Sequence, residues 1–171
     1  MALEIRHADP ADFAAIADLC VAAYAPFVAG EDYVDVLRDV PRRAADAQLL
    51  VATDPDGAGV VGTVTFVPDG GLLGEIALPH ETEFRMLAVD PAAQGRGVGT
   101  ALLRRVVDDS RRPGIEAVVC SSQAEMVAAH RIYERLGFRR VPERDWSPVP
   151  GVDLLVFVLP LPADPRAGRS R

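Results

Sequence analysis

The segment Val89–Arg105, VDPAAQGRGVGTALLRR, places glycines at alternate positions 95, 97 and 99, with Arg96 between the first two. The run before it, TEFRMLAV at 82–89, reads as a strand. The run after it keeps helical spacing through Val98, Ala101, Leu102 and Val106. Glycine lets the backbone approach a ligand closely, at a cost of about 0.5–1 kcal/mol relative to alanine inside a regular element. A helix starting near Val98 leaves its first backbone N–H groups without intrahelical partners. The helix dipole adds partial positive charge at that end. The turn therefore reads as an anion site whose natural occupant is phosphate or pyrophosphate, with Arg96 adding a charge-assisted contact. The plain alternative is a tight strand-to-helix connection that binds nothing.

Two phosphate-binding patterns fail here. A nucleoside triphosphate loop needs G-x-x-x-x-G-K-[ST], and the chain contains no lysine. A dinucleotide fold needs G-x-G-x-x-G, but the sixth position is Thr100 counted from Gly95 and Leu102 counted from Gly97.

The 171 residues suit one domain with a real core. A formal net charge of −7 argues against a nucleic-acid binder, which shows a basic patch or stripe. No apolar run approaches the roughly 20 residues of a membrane span. The start, MALEIRHADPADF, lacks the basic and apolar blocks of a signal peptide. The expected location is the cytoplasm. Cys20 and Cys120 have no metal-type spacing and read as core thiols. His7, His80 and His130 form no ligand pattern, so no metal is expected.

The remaining elements follow from periodicity and breakers. Strands are expected at 3–8, 49–53, 60–67, 116–122, FRRV (138–141) and 154–159. Helices are expected from Asp9 to about Tyr24, over 31–47 with a break at Pro41, from Val98 to Pro113-Gly114, and over 124–137. Segment 68–81 reads as a loop, and PERDWSPVPGVD as a proline-rich loop. Residues 1–161 then form one domain, and 162–171 a disordered tail. The order, a hairpin run followed by alternating helices and strands, implies an α/β mixed sheet with helices on both faces.

QGRGVG also fits Q/R-x-x-G-x-G/A through Gln94, Gly97 and Gly99. In this, in LAVDP (87–91) and in AAHRIYERLGF (128–138), the chain resembles the GNAT acetyltransferase superfamily over roughly residues 3–160. YERLGFRRVPERDW is similar to a subset of bacterial members whose acceptors are mostly undefined. The resemblance implies a single-domain, mostly antiparallel twisted sheet of about seven strands. It implies acetyl-CoA as cosubstrate and transfer of an acetyl group to a primary amine of a small molecule, peptide or protein. Gln94, Gly95, Arg96, Gly97, Val98, Gly99 and Thr100 would hold the pyrophosphate. Leu87, Ala88 and Val89 would offer free backbone groups to the pantetheine arm, much as an added strand does, and would meet the developing oxyanion.

By the same resemblance Tyr133 reaches the coenzyme sulfur and donates a proton to the leaving thiolate. A phenol near pKa 10 is protonated at neutral pH. Glu83, four residues before Leu87, occupies the position of a base glutamate in histone-type members. Alternation puts Glu81, Glu83 and Arg85 on one face, so Glu83 reads either as a base or as a partner of Arg85, with Glu81 as its substitute. Protein N-terminal acetyltransferases are less similar: their glutamate falls at Ser121 and their asparagine at Met126. Tyr24, Phe27, Tyr33 and Trp146 are candidate acceptor-pocket walls or packing residues. A homodimer paired through C-terminal strands is expected on fold analogy. The alternative function is a non-catalytic acyl-CoA-binding module.

Overall fold

The structure is a computed structural model that describes residues 3–28, 31–54 and 59–162. The disordered tail expected at 162–171 lies, from residue 163 on, outside the described residues. Among the described residues eight strands form one sheet: β1 (Glu4–His7), β2 (Gln48–Asp54), β3 (Gly59–Val67), β4 (Glu81–Val89), β5 (Ala117–Gln123), β6 (Arg139–Arg140), β7 (Trp146–Val149) and β8 (Val152–Pro160). The order across it is β1-β2-β3-β4-β5-β8-β6, with β7 also on β8. Every pairing is antiparallel except β4 with β5. Five helices cover it: α1 (Phe13–Tyr24), α2 (Glu31–Arg38), α3 (Val40–Asp46), α4 (Val98–Ser110) and α5 (Val127–Leu136).

Two apolar clusters show how the sequence divides the sheet's faces. Leu50, Val64, Phe66 and Phe84 pack with Leu102 and Val106 of α4 and Tyr133 of α5. Leu49, Val51, Met86 and Ala88 pack with Ile16 and Cys20 of α1 and Leu37 of α2. Along β2 neighbouring residues thus serve opposite layers, the period-2 rule of a sheet buried on both sides, while on β4 Phe84 and Met86, two apart, fall in opposite layers. Cys20 and Cys120 are both free and buried.

Three expectations need correction. Pro41 does not end a helix. Asp39 caps α3 by accepting the Arg42 N–H, and Pro41 sits in the first turn of that helix, where no N–H is needed. The helix after the glycine turn stops at Ser110, before Pro113-Gly114. The proline-rich segment is not all loop, because Trp146–Val149 pairs with β8 across the Pro150-Gly151 turn and makes the eighth strand. Proline is tolerated at an edge, where its missing N–H points away from the ladder.

Gly62 of β3 shows how closely α4 is seated. A Cβ there would lie 2.5 Å from Val98 Cγ1 and 3.1 Å from Leu102 Cδ1. Overpacking of this kind costs typically about 1–3 kcal/mol. Gly62→Ala is expected to lose about that much in urea unfolding; a midpoint equal to the parent's would show that α4 is free to move off the sheet.

Candidate active site

The parallel pair β4–β5 is short. It runs from Glu81 opposite Ala117 to Glu83 opposite Val119. Beyond that rung β5 pairs only with β8, through Gln123. On its other side β4 loses register with β3: Thr63 faces Ala88, but Thr65 faces Arg85, so β4 carries one extra residue. Met86 in that stretch has φ +53, an uncommon conformation for a non-glycine residue. This is a β-bulge, which bends the strand that bears it and leaves the extra residue out of the ladder. The sheet parts here, and Leu87, Ala88 and Val89 line the opening.

The glycine turn closes the same opening. Gly95 and Gly97 have φ +77 and +81, and a Cβ on either would meet no atom within 4 Å. Both accordingly take a left-handed turn that faces open space. Gly97 is the N-cap of α4 and supplies no side-chain cap, so the helix start relies on a ligand or solvent. Gly99 is different. A Cβ on it would approach Ile132 Cδ1 to 2.8 Å, so it is small to let α5 and α4 meet rather than to admit a ligand.

The cleft so formed has a volume of about 1020 Å³ and runs from Phe27, past Leu87–Val89, to Gln94–Thr100 and the outer face of α5. It brings together all ten residues assigned to coenzyme contact from sequence. It also gathers Arg104, Arg131 and Arg135, which sequence reading missed, beside Arg96, with Glu125 the one carboxylate among its lining residues. The i, i+4 spacing of Arg131 and Arg135 on one helix face was a readable signal. Arg96 also bonds Asp54 at 2.7 Å.

Tyr133 follows Ile132, one of the cleft's lining residues, and is itself 4% exposed. Its ring meets Phe84 edge-on at 5.6 Å and Phe157 at 5.3 Å. Its hydroxyl interacts with Ser122 and Cys120, and burial holds its pKa well above 10. Ser122 Oγ in turn lies 3.1 Å from His130 Nε2. Burial lowers the pKa of His130.

Glu83 occupies the last paired rung, where β4 and β5 separate. Phe84 packs against Tyr133 on the α4–α5 face, so Glu83 and Arg85 turn to the α1–α3 face. Glu83 Oε2 accepts the N–H groups of Glu75, Ile76 and Ala77 at 2.9, 3.0 and 3.2 Å. Oε1 is buried without a partner. Desolvation raises the Glu83 pKa, opposed by the three amides and more weakly by Arg85.

Of the two readings of Glu83, the pair with Arg85 is not formed: Arg85 pairs with Glu75 at 2.9 Å. Glu81 is held by both terminal nitrogens of Arg144, each at 2.8 Å, and by the Leu78 N–H. Of the acceptor-pocket candidates, Tyr24 and Tyr33 have ring centroids 6.2 Å apart with their planes tilted by 50°, Phe27 lines the cleft, and Trp146 on β7 has a buried Nε1 without a partner.

The mixed sheet is thus parted between its two parallel strands, with a glycine turn and an uncapped helix facing the gap. Residues 10–138 match the model described as the acetyltransferase (GNAT) family, and the chain belongs to that family. N-acetylaspartate synthetase of Danio rerio is 41% identical over 73 residues, which are 43% of this chain and 26% of that protein. The chain thus spans about a quarter of that relative's length. Among solved structures, a GCN5-related N-acetyltransferase from Kribbella flavida is 29% identical with a TM-score of 0.64, over 94% of this chain and 98% of its own. The yncA protein of Salmonella typhimurium, solved with its cofactor acetyl-CoA, is 25% identical with a TM-score of 0.63, over 96% of each chain.

Proposed function

We propose that the protein is an acetyl-CoA-dependent N-acetyltransferase that passes the acetyl group by direct attack to a primary amine of a small molecule, peptide or protein. One observation carries this reading: the glycine turn, the uncapped start of α4 and the bulged Leu87–Val89 segment line a single cleft, with Tyr133 next to its lining residue Ile132 and Glu83 on the last β4–β5 rung. The fit to the coenzyme rests on the open space before Gly95 and Gly97 and on Arg104, Arg131 and Arg135 among the lining residues, beside Glu125.

Acetyl-CoA supplies the activated thioester. The amides of Val98, Gly99 and Thr100 hold its diphosphate, and Arg104, Arg131 and Arg135 meet its remaining anionic charge. The backbone of Leu87 to Val89 pairs with the pantetheine arm and faces the carbonyl oxygen. Tyr133, protonated at any physiological pH, donates to the leaving sulfur. Glu83, reached from the opposite face of the sheet, takes the amine proton on its free Oε1, directly or through water.

The acceptor side is the α1–α3 face, with Tyr24, Tyr33 and Phe27 as its walls. Glu81 and Trp146 flank it through the segment around Arg144. The protein is read as cytoplasmic; among the described residues, no helix is long and apolar enough to cross a membrane. In a homodimer paired through the C-terminal strands, β6 and β7 would form the edge, since they cover the far side of β8.

A second reading, an acyl-CoA-binding module without turnover, draws on the three amides that tie down Glu83 Oε2. Thiol release from acetyl-CoA against a panel of amines and peptides separates the two. Turnover with at least one acceptor is expected. CoA binding without release for any member of the panel would favour the module.

The arginines carry a separate expectation. Arg131→Glu is expected to weaken CoA binding about tenfold at low ionic strength and less at high salt, because exposed charges are screened beyond about 10 Å at 0.1 M. Calorimetry at two salt concentrations checks this; an unchanged affinity at both would place the coenzyme's charge elsewhere.

A further inference from the structure

Arg43 of α3 lies inside the protein, 2% exposed. Its Nη1 donates to Thr65 Oγ1 at 3.2 Å and to Met86 Sδ at 3.3 Å. Its Nη2 donates to the Leu37 carbonyl at 2.8 Å. Both reach Cys20 Sγ, at 3.9 and 3.8 Å. Nε has no partner. Among the described residues Arg43 forms no salt bridge: no carboxylate oxygen lies within 4.0 Å of its nitrogens. A buried cation with only neutral acceptors is costly, and an apolar residue of similar volume is often neutral or stabilising in its place. Packing alone therefore does not account for an arginine here.

Its contacts fall on the bulge. Met86 is the β4 residue with positive φ, and Thr65 is the β3 residue at which register resumes. Arg43 joins these two to α1 through Cys20 and to α2 through Leu37. The strand segment that follows, Leu87–Val89, lines the cleft.

We propose that Arg43 is a positioning residue that holds the β4 bulge from behind and so sets the backbone groups of Leu87–Val89 for an acyl-pantetheine arm. This rests on the coenzyme reading above. It assigns Arg43 to the arm alone. The glycine turn, which takes the diphosphate, makes no contact with it.

Two ligands separate those regions. CoA carries the arm; adenosine 3′,5′-bisphosphate keeps the nucleotide end and lacks it. Calorimetry on the full chain is expected to show that Arg43→Met weakens CoA about tenfold or more and changes adenosine 3′,5′-bisphosphate by less than twofold. The melting temperature should stay at or above the parent's, which a merely structural arginine would not allow. Thr65→Val, which removes one acceptor and keeps the arginine, is expected to weaken CoA in the same selective way by a smaller factor; it carries the test if Arg43→Met does not fold. CoA affinity unchanged in the variant that folds, or both ligands weakened alike, overturns the role. A folded parent that binds neither ligand overturns the coenzyme reading and this role with it.

Discussion

Tyr133→Phe is expected to lower turnover about 10²–10⁴-fold, the usual worth of a positioned general acid, while CoA affinity stays within about twofold. The ring is held by Phe84, Phe138 and Phe157, and phenylalanine keeps all of that packing. What leaves is one buried hydroxyl, whose contacts are Ser122 and Cys120. Burial holds that hydroxyl protonated, so it is a donor to a thiolate and not a base. Steady-state kinetics with any acceptor found by thiol release, together with calorimetry of CoA, reads both numbers. Turnover equal to the parent's would remove Tyr133 from the chemistry.

Glu83→Gln is expected to cost a similar factor in turnover, about 10²–10⁴-fold, without unseating the loop at 75–77. The amide oxygen of glutamine can accept the three N–H groups that Oε2 accepts now. Its NH₂ then takes the position of Oε1, the oxygen left without a partner, and cannot receive a proton.

The pH dependence follows from the raised pKa of Glu83, whose first cause is desolvation. The parent's kcat/KM should rise as pH climbs through that raised value, and the variant should lack the limb. Stability has the opposite sign. A carboxyl whose folded pKa lies above its unfolded value adds stability that is fully present below the unfolded pKa and is lost as pH rises through the folded one. The parent should therefore lose stability above the ordinary value of 4.5, and Glu83→Gln should not. Urea unfolding across that window checks it; a parallel decline in both proteins would assign the loss to other groups.

Much of this was legible in the residues. Alternate glycines before a helical stripe placed the turn, and Leu87–Val89 and Gln94–Thr100 line one cleft. Tyr133 was visible because the α5 stripe buries it. Other features were beyond local pattern. The eighth strand was hidden because Pro148 argues against a ladder except at an edge, and edges are set by the whole sheet. The α2–α3 break was placed two residues late because Pro41 can end one helix or open the next, and only the Asp39 cap decides. Gly99 was grouped with its neighbours as a ligand-side glycine, but its constraint is Ile132, more than thirty positions away in the chain.

Partners of charged groups were the least legible. Alternation put Glu83 and Arg85 on one face, yet Arg85 turns to Glu75 and Glu83 to backbone amides, both from a loop without periodic signal. Arg43 could not be told from the solvated arginines around it. Its burial comes from the way α1, α2 and the β4 bulge close over it, and its contacts in α1 and the bulge, Cys20 and Met86, lie more than twenty positions away in the chain.

The central claim is that amides at the start of α4 and along the bulged strand hold a coenzyme. Backbone amide resonances of isotope-labelled protein, followed during addition of CoA, test it most directly. The largest shifts are expected at Gly95–Thr100 and Leu87–Val89. Shifts confined to other segments, or none while the spectrum shows a native fold, would contradict it.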